Sequence, residues 1–232
     1  MQNNQAEALY DLFGIPFTKQ PDIKTLRQFH TNTGFCTDKE GNIIGLTICE
    51  TKLESIVIED YFKHLQYLNL SDNAALREVR FRNTLPRLHH LDVSDCQLTT
   101  LSLPEGFEAL QWLDLSRNQI KDLTPAGRFL QLRYLLISDN KLPEFPADWL
   151  EKFPKLEGLY LKGNPLPSTK LTAVEKNANC LVFMQQFKAE LDKERASDNE
   201  FKVLLIGNGG VGKTCLVKRL VYDKFDHDNP ST

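Results

Sequence analysis

The feature that most constrains this chain is a single spacing. The frame LxxLxLxx(N/C/T)xL recurs six times, each L being leucine, isoleucine or valine. The copies are Ile43-Leu46-Ile48-Thr51-Leu53, then Leu65-Leu68-Leu70-Asn73 with one extra residue before Leu76, then Leu88-Leu91-Val93-Cys96-Leu98. Leu110-Leu113-Leu115-Asn118-Ile120, Leu132-Leu135-Ile137-Asn140-Leu142 and Leu156-Leu159-Leu161-Asn164-Leu166 follow. Their starts lie 22, 23, 22, 22 and 24 residues apart. Repeats of this length cannot bury their apolar faces singly, so they stack into a solenoid with a continuous core. The LxL centre predicts a short strand with alternate side chains inward. The Asn, Cys or Thr position predicts a small polar side chain turned in to bond backbone groups that would otherwise be unpaired. Cys96 at that position reads as structural.

The strand positions between the leucines are expected to point away from the core and line the concave face, where solenoids commonly bind partners. One column reads Gly45, Tyr67, His90, Trp112, Tyr134, Gly158, and the next Thr47, Asn69, Asp92, Asp114, Leu136, Tyr160. A third reads Cys49, Ser71, Ser94, Ser116, Ser138, Lys162. Aromatic residues are enriched in interface hot spots. Tyr67, Asn69, His90, Asp92, Trp112, Asp114 and Tyr134 are therefore the candidate partner-binding residues. Stacked aromatics can equally serve only to pack the sheet face.

A solenoid needs covers at its ends. Residues 1–42 are expected to supply the first, with Ala6, Leu9, Tyr10 and Phe13 on one short helix and Ile23, Leu26 and Phe29 on a second. The repeats then occupy 43–169. Residues 170–196 are expected to form a capping helix and linker, since Val174, Ala178, Leu181, Met184, Phe187 and Leu191 recur at helical steps. The returning segments between strands carry Pro and Phe, as in Pro143-Glu144-Phe145-Pro146, and suit loops or short 3₁₀ turns. No apolar run approaches the ~18 residues of a membrane span, and the N-terminus lacks the pattern of a secretion signal. A net charge of -3 gives no reason to expect nucleic acid or an anionic membrane as partner. None of the five cysteines forms a CxxC pair, which weakens a metal reading. A cytoplasmic protein with reduced thiols is expected.

Residues 197–232 change character. Phe201-Lys202-Val203-Leu204-Leu205-Ile206 reads as a buried strand. It runs into Gly207-Asn208-Gly209-Gly210-Val211-Gly212-Lys213-Thr214, then Cys215-Leu216-Val217-Lys218-Arg219-Leu220. This is GxxxxGK[ST] between a strand and a helix, the setting of a phosphate-binding loop. Glycines allow close backbone approach, and successive N–H groups with the helix N-terminus cradle phosphate. Lys213 would reach the β- and γ-phosphates, and Thr214 would give its hydroxyl to Mg²⁺. The cofactor-binding residues expected are Gly207, Asn208, Gly209, Gly210, Val211, Gly212, Lys213, Thr214 and Cys215, with Thr214 as the metal contact and no catalytic side chain assigned. No DxxG or NKxD segment follows Thr214. The 232-residue chain by itself is thus expected to be inactive.

The repeated frame resembles leucine-rich repeats, and GNGGVGKTCLVKRL resembles the phosphate loop of Ras-type small GTPases, with Asn208 where many have Ala or Asp. Repeats preceding such a loop across one helix and a short linker resemble the Roco family, in which leucine-rich repeats lead into a Ras-of-complex (Roc) GTPase and then a COR dimerisation domain. A chain without long N-terminal extensions looks most like the bacterial members. The resemblance implies an α/β chain: a leucine-rich-repeat horseshoe with its parallel sheet on the concave face, helical caps, and the truncated start of a P-loop GTPase domain. It implies GTP/GDP and Mg²⁺ as ligands of the parent, whose own Roc and COR domains, or another protein, would meet the concave face. Dimerisation would run through a region outside this chain. Asp228-Asn229-Pro230-Ser231-Thr232 falls where a first switch begins in that family, with Thr232 at the threonine that closes on Mg²⁺ and the γ-phosphate. The alternatives are a stand-alone repeat scaffold that only binds protein, and a repeat-linked signalling ATPase.

Overall fold

In the computed structural model the described residues are 4–28, 32–123, 127–144 and 149–166, with 181, 185 and 189 as single helical positions. The chain divides into two units, Met1–Lys188 and Ala189–Thr232. All elements below belong to the first. In chain order they are α1 (Asn4–Phe13), β1 (Thr18–Lys19), α2 (Ile23–Gln28), β2 (Thr33–Thr37), β3 (Ile43–Ile48), β4 (Ser55–Ile58) and a 3₁₀ turn (Asp60–Phe62). Then come β5 (Tyr67–Asn69), β6 (Glu78–Phe81), β7 (His90–Asp92), β8 (Trp112–Asp114), β9 (Tyr134–Leu136), α3 (Trp149–Lys152) and β10 (Gly158–Tyr160).

The architecture is a parallel-sheet solenoid of leucine-rich-repeat type with few helices. One sheet runs β1-β2-β3-β5-β7-β8-β9-β10. From β3 onward each strand pairs in parallel with the next, in the register Leu46, Leu68, Leu91, Leu113, Leu135, Leu159. Each of these six side chains is no more than 1% exposed. Complete burial of a leucine contributes about 1.5–3 kcal/mol, so each strand, though only three residues long in most repeats, is held by its core side chains.

The polar ladder follows the frame. Asn118 Nδ2 donates to Val93 O at 2.8 Å and Leu115 O at 3.1 Å, while its Oδ1 accepts from Leu98 N at 3.0 Å. Asn140 and Asn164 repeat this, accepting from Ile120 N and Leu142 N at 3.0 Å each. Cys96 breaks the pattern and shows why it can. Its thiol donates to Leu70 O and Ser94 O, but it offers no comparable acceptor. None is needed there, because the extra residue before Leu76 lets the Leu76 amide turn to Asn73 O at 2.9 Å instead. The long second repeat and the cysteine in the third are thus one adjustment. Burial pushes the Cys96 thiol up to about 12, so it stays protonated.

The residue before each ladder position takes a left-handed conformation: Glu50, Asp72, Asp95, Arg117 and Asp139 at φ 51–58°, and Gly163 at 78°. Asp tolerates this region better than most residues. On the returning side, Phe62, Leu85, Phe107, Phe129 and Phe153 are buried, and each accepts the amide of the first residue of its frame. Phe107–Phe129 and Phe129–Phe153 ring centroids lie 6.2 and 5.9 Å apart.

The structure corrects two expectations. The N-terminal segment is not covered by helices alone, since β2 pairs antiparallel with β3 and closes the sheet edge that a first repeat would leave open. On α1, Leu9 is buried, whereas Tyr10 is 54% exposed and lies off the apolar stripe. The returning segments are also not all loop or 3₁₀, because β4 and β6 form a second, two-stranded parallel sheet. Phe29, Phe145, Pro146 and most of the expected capping helix lie outside the described residues, although Leu181 is buried and helical.

Candidate functional site

The first column forms a stack. Tyr67 and His90 ring centroids lie 4.8 Å apart at 18°, His90 and Trp112 5.8 Å apart at 18°, and Trp112 and Tyr134 5.2 Å apart at 43°. An arginine closes each end. The Arg27 guanidinium sits 5.7 Å from the Tyr67 centroid, and that of Arg133 5.9 Å from the Tyr134 centroid. Arg133 is itself held by Glu157 through two 2.8 Å bonds, and Tyr134 Oη donates to Glu157 at 3.2 Å. Gly158 leaves room for the last ring, because a Cβ there would meet Tyr134 Cδ1 at 2.7 Å. The faces of the inner rings are therefore taken by one another, and the stack presents ring edges to the outside.

Not every rung is available. Tyr67 is 6% exposed, clustered with Leu26, Cys36 and Ile23. Its place in the candidate docking set is corrected accordingly, since α2 covers it. His90, Trp112 and Tyr134 remain half-buried. Burial, and then Arg27, lowers the His90 pKa to about 4, so the imidazole is neutral near pH 7.

In the second column, Asn69 Oδ1 accepts from Ser71 N, Asp92 Oδ1 from Ser94 N, and Asp114 Oδ1 from Ser116 N, each at 2.9 Å. Asp92 also accepts from Ser94 Oγ at 2.7 Å. These short loops draw the third column inward. Ser71, Ser94 and Ser116 are buried, as is Cys49, so the first four members of that column are not the outer surface its spacing suggested, whereas Ser138 is half-buried and Lys162 exposed. Burial pushes the Asp92 carboxyl up to about 6, with neighbouring Asp114 adding to the rise. Burial raises Asp114 as well. Leu136 ends the polar column. What remains outward is a half-buried patch of His90, Trp112 and Tyr134 edges beside Asn69, Asp92 and Asp114.

Burial raises the Cys36 and Cys49 thiols to about 11 and about 12, leaving both protonated and unreactive. Among the described residues no cluster of three His, Cys, Asp or Glu side chains could hold a metal ion. No helix among them is long and apolar enough to cross a membrane. The phosphate-loop residues Gly207, Asn208, Gly209, Gly210, Val211, Gly212, Lys213, Thr214 and Cys215 lie outside the described residues.

Residues 110–166 match the family described as leucine rich repeat, and 86–128 that described as leucine rich repeats (2 copies). Residues 202–232 match the family described as Ras of Complex, Roc, domain of DAPkinase. The chain is Roco-like: leucine-rich repeats, then Roc. A Roc-COR-CHAT protease from an unknown prokaryotic organism is 28% identical over 241 residues, covering 83% of this chain and 23% of that protein. A Roc-COR-CHAT protease of Runella zeae is 27% identical over 236 residues, covering 82% of this chain and 26% of that protein. The Roco-like chain thus spans about a quarter of the length of those relatives. Human lumican is 33% identical over 169 residues, covering 69% of this chain and 42% of that protein.

Proposed function

We propose that the repeats are the partner-docking, regulatory arm of a Roco-type GTPase, whose Gly207–Thr214 loop holds GTP or GDP with Mg²⁺. The observation that carries this reading is the match of 202–232 to Roc on the C-terminal side of the repeats, with the whole GNGGVGKT segment inside it. In this reading the loop amides and Lys213 bind the phosphates and Thr214 turns its hydroxyl to Mg²⁺. The bound metal supplies charge neutralisation during phosphoryl transfer, and catalysis rests on positioning rather than on a covalent side chain. His90, Trp112 and Tyr134, with Asn69, Asp92 and Asp114, form the docking patch for a protein partner or for the parent's own Roc and COR regions. The names of the two prokaryotic relatives support a COR region and a protease in the full-length protein, and in this reading the repeats gate that activity by nucleotide state.

The test titrates the full-length protein, with its complete Roc domain, with GTP and with ATP in Mg²⁺, beside Lys213→Ala. GTP preference that is lost in the variant is expected. ATP preference would replace this reading with a signalling ATPase, and binding of neither would leave a repeat scaffold.

A further inference from the structure

The returning side of the solenoid holds an open seam. Residues 77–83 and 98–105 are successive returning segments, and they touch at both ends. Gln97 N donates to Leu76 O at 2.8 Å at one end. At the other, Gly106 (φ 101°) packs so closely that a Cβ on it would lie 2.3 Å from Thr84 Cβ. Between these points they part. The second sheet stops at β6, and Thr100 bridges onward to Asp122 rather than back to β6. The gap is a groove of about 820 Å³ between β6 and residues Thr99, Thr100, Ser102 and Pro104. Ligand clefts span roughly 300–1,000 Å³.

The groove has two chemistries. An edge strand turns about half of its backbone N–H and C=O groups away from its single partner. Inward, Val79 is buried with Ile56 and Ile58. Outward, the groove is lined by Arg77, Arg80 and Arg82 against one carboxylate, Glu78. Arg80 pairs with Glu78 at 2.6 Å and Arg82 with Glu59 at 3.2 Å, both well exposed, and such pairs are weak and exchangeable. Arg77 joins no ion pair among the described residues. A second copy of the chain is a poor occupant, because β6 against β6 would bring these arginines together. Three of the chain's ten arginines, Arg77, Arg80 and Arg82, stand on or beside this open strand, which makes it complementary to an acidic strand.

We propose that this seam is a second docking site, which takes an extended acidic segment of a partner protein by strand addition to β6. Backbone bonding supplies the alignment and the arginines select acidic side chains. The site lies apart from the docking patch and needs no nucleotide, so it stands or falls independently of the GTPase reading.

The test is fluorescence anisotropy of the 232-residue chain against three labelled peptides. One alternates valine and glutamate, one is the same peptide N-methylated at alternate backbone nitrogens, and one alternates valine and lysine. The glutamate peptide should bind, and N-methylation and the change to lysine should each weaken it by about tenfold or more. The exposed double variant Arg77→Glu with Arg80→Glu, its fold checked by circular dichroism, should lose binding of the glutamate peptide. Equal binding of the N-methylated peptide, equal binding of the lysine peptide, or no binding of the glutamate peptide would each overturn the proposal. The peptide comparisons decide it even if the variant does not fold.

Discussion

Asn118 reaches back 25 residues to donate to the carbonyl of Val93 at 2.8 Å. The same carboxamide accepts from Leu98 N and donates to Leu115 O, so one side chain satisfies backbone groups in two successive repeats. Asn118→Ala should leave a buried acceptor and a buried donor unpaired. At about 1–3 kcal/mol for each orphaned group, the variant should lose about 2–6 kcal/mol in a urea melt. Cys96→Ala removes only weak thiol donors and should lose less. Equal losses at the two positions would contradict the division of labour between Asn and Cys.

Gly163 takes the left-handed turn that a glutamate, aspartate or arginine takes in the repeats before it. Its difference is crowding, because a Cβ there would lie 2.0 Å from Asp139 Oδ1. Gly163→Ala should therefore cost more than the ~1 kcal/mol expected for a positive φ alone. In the background of Asp139→Ala the same change should cost less. A thermal melt of the four proteins checks this, and strictly additive losses would rule out the clash.

The patch of stacked rings and carboxylates carries two opposed pH dependences. With its pKa at about 6, folded Asp92 binds a proton that the unfolded chain, at about 3.9, has released. Its contribution is fully present below about pH 4 and is lost as pH rises through about 6. His90, at about 4 when folded and about 6.5 unfolded, does the reverse. Its contribution is present above about pH 6.5 and is lost as pH falls through about 4. Asp92→Asn keeps an oxygen for Ser94, and should be about 1–3 kcal/mol more stable than the parent near pH 7, with the gain vanishing near pH 4. His90→Phe should show its relative gain at the acid end. Urea midpoints across this range decide both, and a gain for Asp92→Asn that does not change with pH would refute the first.

Trp112 joins two rungs of the stack. Trp112→Ala should cost about 2–3 kcal/mol, less than a full core truncation because the ring is half-buried. Trp112→Phe should recover most of this. If the patch docks a partner, Trp112→Phe should still weaken the complex, since it removes the indole N–H and the outer ring edge. Unchanged affinity in the folded Phe variant would leave the stack with a packing role only.

Much of this was readable in the residues. The period placed Tyr67, His90, Trp112 and Tyr134 in one column and Asn69, Asp92 and Asp114 in the next, because parallel register across a repeat is a local consequence of the spacing. The buried Phe62, Leu85, Phe107, Phe129 and Phe153 column also recurs three residues before each of the last five frames, a signal that attention to Leu alone passes over. The inward pull on Ser71, Ser94 and Ser116 was hidden, because it arises from Asn and Asp oxygens curling onto amides two residues on.

The sequence by itself determined the repeat, the residues that share a column, the polar ladder that ties each turn, and the order of repeats before a phosphate loop. The first three depend on contacts between one repeat and the next, and the last on chain order alone. Only the tertiary structure decided which rungs reach the surface and where the returning sheet breaks. Tyr67 is covered by α2, and β6 is left at the edge of its sheet while Thr100 pairs onward with Asp122. Covers and seams have no period, because they depend on how unlike segments meet in space.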